Sequence, residues 1–244
     1  MLRTIKDVLA LFPLTTKKDW KQHSNGNGWV QSTASVDASC TIEGMVFGNA
    51  WVSGDAQVSG DARVFGNAWV SGDARVSDNV WVSGDARVSD NVWVSGDAQV
   101  SGSARVSGDA RVSGSAQVSG NAQVSGNAQV SDYAQVFGNA QVSGSAQVSG
   151  NARVSGYARV FGNAQVSGDG WVFGDGWKTA PLLVQGSKHT ATNCKHGYIA
   201  IGCQIHTFAH WQTHVESIAR EQGYTEVEVA EYRSIVDFMV KFGK

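Results

Sequence analysis

The chain has 244 residues, with 29 Gly against 2 Pro, charged residues at 16% and a formal net charge of −2. Glycine at well above its usual share of about 7% signals a turn at fixed intervals. The near-neutral balance excludes a bulk positive field for nucleic acid or an anionic membrane. Three cysteines, Cys40, Cys194 and Cys203, are too few and too irregularly spaced for a disulfide scaffold and read as reduced thiols.

Residues 1–28 read as a helical cap and linker. Leu2, Ile5, Val8, Leu9 and Phe12 recur at helical spacing, which predicts an amphipathic helix. This apolar stretch has Lys on both sides and lacks the long core and small-residue cleavage site of a signal peptide. No stretch approaches the ~18 consecutive apolar residues of a membrane span. A cytoplasmic location is expected.

Residues 29–177 are a repeat. From Val46 to Val172 valine recurs every six residues without a gap, giving 22 hexads of consensus A-x-V-S-G-[DNS], where x is Gln, Arg or Trp. Val30, Val36 and Ile42 carry the same period two residues out of phase, so a register break falls between Thr41 and Met45. Six is not a multiple of 3.6, and a glycine per turn would cost a helix roughly 1 kcal/mol each. As strand the pattern works: Ala and Val, two apart, share one side, and x and Ser share the other. Gly followed by Asp or Asn then makes a corner. Three such sides close a triangular coil of 18 residues. Coils stacked about 4.8 Å apart predict a rod on the order of 35 Å long. The pentapeptide FGNAW at Phe47 and again at Phe65, 18 residues on, supports that coil length. The Ser-Asp-Asn-Val-Trp-Val variant, at Ser77 and again at Ser89, repeats after 12 and so occupies different sides. The core is Val and Ala only, so stability must come from stacking, and both open ends need caps.

The hexad V-S-G-D-A-R resembles the hexapeptide pattern of left-handed β-helices, except that Ser usually follows the Val. Left-handedness is what that resemblance implies. The opening segment NGNGWV (Asn25–Val30), the hexad run and the tail Ile201–Val236 together resemble phage and prophage hexapeptide-repeat proteins with a small C-terminal module. That implies a host-cytoplasmic or virion-associated protein, and no particular activity. Similar left-handed helices form trimers, which makes a homotrimer the first expectation for self-association.

Residues 178–244, beginning just before Pro181, read as a small α+β domain. Leu182–Gln185, His189–Cys194 and Tyr198–Gly202 are expected strands, with a turn at Lys195, His196 and Gly197. Thr207 is placed to cap a helix running to about Gln222, with Phe208, Trp211, Val215, Ile218 and Ala219 as its apolar stripe. Thr225 and Glu228 form a capping box for a second helix to about Phe242. Trp211, Tyr232 and Arg233 read as packing rather than binding residues.

Hexapeptide β-helices are best known as acyltransferases, and some are carbonic anhydrases. Both need histidine in or beside the coils. All six histidines here lie outside the 22 hexads, and no loop interrupts them to form a substrate pocket, so no catalytic residue and no cofactor are expected. Cys203, His206, His210 and His214 have the residue types and part of the spacing of a zinc site, against the plainer reading as polar positions beside the Trp211 stripe. From Val46 to Trp177 eleven Asp outnumber seven Arg, which argues against nucleic acid along the rod. Asp rows suggest mimicry of a nucleic-acid backbone, but Asn and Ser replace Asp freely, so corner chemistry is the simpler reading. Thr is absent from the hexads, unlike the Thr ladders of ice-binding rods. Phe47 and Trp51 flank one corner, and Phe65 and Trp69 repeat them one coil on. Stacking therefore predicts an exposed aromatic patch for a protein partner or for self-association. The N-terminal helix folding back over that edge is the bland alternative. The expected function is non-enzymatic: a solenoid binding a macromolecular partner, in a virion, assembly or accessory role. A counter-defence decoy or sponge for a host protein or nucleotide signal is the alternative.

Overall fold

The computed structural model describes residues 4–168, 170–173 and 182–243. The chain is a parallel β-solenoid of about eight turns, closed by a small sheet and two helices at its C-terminal end. Each hexad contributes a two-residue strand, x-Val, and a corner, as the six-residue period requires. The strands form three faces. The first carries Met45–Val46, Arg63–Val64, Trp81–Val82 and onward to Trp171–Val172; the second runs from Ser35–Val36 to Arg159–Val160; the third from Thr41–Ile42 to Gln165–Val166. Pairing is parallel at an offset of 18 residues, as in Trp51 with Trp69 and Val52 with Val70. The hexad Ala and Val side chains fill the interior and are fully buried along almost the whole rod.

The corners explain the consensus. Gly84 has φ +68°, and a Cβ there would lie 3.0 Å from the nitrogen of Gly102 one coil on. Both the backbone angle and the close stacking select glycine. Asp replaces it at Asp78, Asp90 and Asp132, at φ 64°, 68° and 61°. In each case the carboxylate accepts a 3.0 Å hydrogen bond from the amide of the glycine one coil on: Gly96, Gly108 and Gly150. At the following position Asn ladders run along the rod. Asn67, Asn79 and Asn91 donate to Asp85, Asp97 and Asp109 at 2.9–3.0 Å. Asn one coil before Asp gives the Asp85, Asp97 and Asp109 carboxylates a donor, whereas Asp55 and Asp73 follow each other along the rod with no Asn between them.

The register break lies where expected. The strand Thr41–Ile42 is followed by Met45–Val46, and Val30 pairs with Val46, so the first coil is two residues short. The amides of Glu43 and Gly44 both donate to the Val58 carbonyl, at 2.7 and 3.0 Å. A side chain on Gly44 would collide with the Ala62 carbonyl.

Both ends are capped. A short helix, α1 (Ile5–Leu11), starts at a Thr4–Asp7 capping box and buries Val8, with Ile5, Leu9 and Phe12 packed beside Trp20, Trp29 and Met45. Leu2, expected in this cap, lies outside the described residues. Sequence periodicity missed the strand Trp20–Gln22, which pairs antiparallel with Trp29–Gln31 and reverses the chain at the open edge. The C-terminal sheet joins Leu183–Gln185, Thr190–Lys195, Tyr198–Ile201 and Gln204–Thr207 in an antiparallel order. It meets the last coil where the Phe173 amide donates to the Cys194 carbonyl at 2.8 Å. Its fourth strand was not expected, because four residues leading into a helix show too little alternation. Against this sheet pack α2 (Phe208–Glu221) and α3 (Glu226–Phe242), capped by Thr207 and by the Thr225–Glu228 box as predicted. Trp211 and Tyr232 are buried in this second core. The Trp211 indole N–H donates to the Ile199 carbonyl at 2.8 Å, and the Tyr232 hydroxyl is tied to the backbone of His189. Arg233 pairs with Glu216 and Asp237 on the surface.

Candidate functional site

The x position of each hexad points outward, so its residue stacks on the x residues 18 before and 18 after. Wherever Trp occupies it, the neighbour decides what the ring meets. Trp51 and Trp69 stack on the second face, centroids 5.3 Å apart and planes 11° apart, and the Arg87 guanidinium lies 5.8 Å from the Trp69 centroid on the other side. On the first face Arg63 lies 5.6 Å from Trp81. On the third, Trp93 sits between Arg75 at 5.9 Å and Arg111 at 6.0 Å. Each cation–π contact is worth about 0.5–1 kcal/mol at an exposed site. The four rings are still 40–48% exposed, because stacking covers their faces and leaves their edges in solvent.

The four predicted patch residues are therefore brought together in pairs. Phe47 stacks on Phe65 with parallel planes at 4.9 Å, at the end of the first face, and Trp51 stacks on Trp69 across the corner. Phe47 is also covered from above: Phe12 meets it edge-on at 4.9 Å, and Trp20 lies 6.3 Å away. Phe65 continues the row to Trp81 at 6.1 Å. The tryptophans and arginines form a band around the N-terminal half of the rod rather than one edge, and Tyr133, Tyr157 and Phe161 are exposed singly beyond it. Trp81, Trp93 and their arginines belong to it and were not singled out from sequence. The signal was present in the 18-residue offset of Arg63 from Trp81 and of Arg75 and Arg111 from Trp93. Beyond Arg111 the x positions are mostly Gln.

In the C-terminal module His206, His210 and His214 form a ring stack with successive centroids 4.3 Å apart. His206 also bonds the Gln204 side chain and meets Trp211 edge-on. Burial, followed by the neighbouring His210 and His214 charges, holds the His206 pKa below its ordinary value. Cys203 is exposed at the preceding turn. Among the described residues no group of three or more His, Cys, Asp or Glu side chains is placed to hold a metal ion, since the rings lie over one another rather than around a common point. Nor is any helix of the described residues long and apolar enough to cross a membrane.

Eight segments match the repeat family described as YdcK beta solenoid repeat: seven overlapping ones, residues 56–72, 68–84, 81–96, 86–102, 98–114, 104–120 and 116–132, and a separate one, 146–160. No curated protein matches the chain. Solved structures that resemble it include the acetyltransferase domain of PglB from Neisseria gonorrhoeae in complex with acetyl coenzyme A, at 14% identity and a TM-score of 0.36 over 60% of this chain. The chain spans 57% of that domain. LpxA from Acinetobacter baumannii matches at 12% identity and a TM-score of 0.41, over 57% of this chain and 71% of the other. A UDP-N-acetylglucosamine acyltransferase from Campylobacter jejuni matches at 10% and 0.38, over 88% and 97%.

Proposed function

We propose that this chain is a non-enzymatic β-solenoid that binds a macromolecular partner through the aromatic band on the N-terminal half of its rod. One observation carries the reading: four tryptophans of a single rod stand 40–48% exposed, interleaved with arginine. Folded monomers rarely leave that much aromatic surface uncovered without a use, and Trp and Arg are the residues that most often dominate binding energy. The faces present Trp and Arg while the corners present Asp and Asn, so the partner is a protein with apolar and acidic features matched to a flat face. A second copy of the chain, as in a homotrimer, is one such partner. The resemblance of the opening segment and tail to phage and prophage proteins supports a virion-associated, assembly or accessory role in the host cytoplasm.

Replacing Trp51→Ser together with Trp69→Ser tests the proposal. Both rings are solvent-exposed, so folding should survive. The expected result is loss of self-association by sedimentation, or loss of the partner recovered from infected cells or virions, with melting lowered only by the few degrees that one ring stack and one cation–π contact account for. If both are unchanged, the band is not a binding surface. Acyl transfer is expected to be absent. Micromolar binding of acetyl coenzyme A with label transfer to an acceptor would falsify the non-enzymatic reading.

A further inference from the structure

Between the last coil and the C-terminal module the chain encloses a two-part cleft. The inner part is a cavity of about 120 Å³, walled by Trp211, Val215 and Ala219 of α2, by Ile201, and by Tyr224 and Tyr232. The outer part, of about 420 Å³, opens against Asn151, Arg153 and Trp171 of the rod. His189, Gly202 and Cys203 line both, so the two parts adjoin at that aperture. Gly202 has φ +56°, and a Cβ there would stand 3.2 Å from the His189 ring. Glycine thus keeps side-chain bulk out of the passage. We infer that this cleft binds a small organic anion built on one planar six-membered ring, with the ring in the inner cavity and the anionic group outside it, facing Arg153.

Size, polarity and charge lead to that class. A cavity of about 150 Å³ lined by apolar side chains accepts benzene, so 120 Å³ holds one ring and not a fused pair. The inner walls are aromatic and aliphatic, but Gln204, Gln222 and His189 also reach them, which suits a ring carrying hydrogen-bonding substituents. Burial pushes the Tyr224 phenol up to about 12, so it stays a neutral donor. Among the described residues lining either part there is no Asp or Glu, although the chain carries 21 acidic residues. Lys188 is already held by Glu228 at 3.2 Å and by the Gly223 carbonyl. Arg153, exposed on the first face, pairs with no carboxylate of the described residues. Its planar fork matches a carboxylate or a phosphate. An aromatic acid and a pyrimidine mononucleotide share this chemistry.

Cys203 supplies the reporter, being exposed at the aperture while Cys40 and Cys194 are buried. In the native full chain Ellman's reagent should modify Cys203 alone. The probes are 4-hydroxybenzoate, uridine 5′-monophosphate and inorganic phosphate. At least one ring probe at about 1 mM is expected to slow the modification about tenfold, and phosphate is not. Protection by the nucleotide alone, or by the benzoate alone, identifies the source. Arg153→Gln should raise the concentration needed by about tenfold with no change in melting, since a charge-assisted bond is lost from the surface. Ala219→Leu, which fills the inner cavity, should abolish protection. If that variant does not fold, the Arg153→Gln comparison decides. The inference is overturned if neither ring probe protects at about 10 mM, if phosphate protects equally well, or if protection is indifferent to Arg153→Gln.

Discussion

Gly126 allows the corner chemistry to be tested at a site whose outcome differs between two substitutions. It sits at φ +68°, and a Cβ would lie 3.0 and 3.1 Å from the oxygen and nitrogen of Gly144. Gly126→Ala incurs the left-handed backbone penalty, about 1–2 kcal/mol. A stiffer unfolded chain offsets about 0.4–1 kcal/mol of it, and the close contact with the next coil adds to it. The net expectation is a loss of about 1–2 kcal/mol. Gly126→Asp meets the same strain, but completes the Ser-Asp-Asn corner already present at Asp78 and Asp90. Its carboxylate is placed to accept from the Gly144 amide, as Asp90 accepts from Gly108 at 3.0 Å. A net hydrogen bond of about 1 kcal/mol should leave Gly126→Asp about that much more stable than Gly126→Ala. Urea denaturation followed by circular dichroism resolves such a difference as a shift in midpoint. An alanine variant as stable as the aspartate variant, or more so, would refute the account of the corners.

The His206 ring titrates below its ordinary 6.5 in the folded chain because of burial and the His210 and His214 charges. Below about pH 6.5 the unfolded chain therefore binds a proton that the folded chain refuses, and stability is lost as pH falls through the folded value. Melting measured from about pH 7.5 down to about pH 5.5 should fall, and His206→Gln should flatten the slope; an identical slope in that variant would show that the histidine stack is not responsible. For the Cys203, His206, His210 and His214 set, elemental analysis is expected to find no stoichiometric metal. About one zinc per chain, lost in His210→Ala and accompanied by chelator-induced melting of the C-terminal module, would establish a site there instead.

How much of this was legible in the sequence follows from the distance over which each feature is decided. The rod is a fixed-offset structure, so contacts of residue i are those of i ± 18. The buried Ala–Val rows, the Phe47–Phe65 and Trp51–Trp69 stacks and the register break near Ile42 all follow from counting. The helix starts at Thr207 and Thr225 were legible for the same reason, since a cap is settled within one turn. The Arg–Trp pairs obey the same offset and were readable from it in principle. Other features needed the tertiary structure because they join segments with no fixed spacing. Trp20–Gln22 reverses against Trp29–Gln31 only because the first coil presents an open edge to pair with. Phe12 covers Phe47 only once α1 has folded over that end. The three histidines stack rather than ring a common point because His206 leaves a strand while His210 and His214 climb a helix. The cleft draws its walls from the last coils, the C-terminal sheet, α2, the turn before α3 and α3 itself. No period relates Arg153 to Cys203 or Tyr224. Repetition lets local rules propagate along the rod, whereas a cavity at its end exists only where non-repeating segments happen to meet.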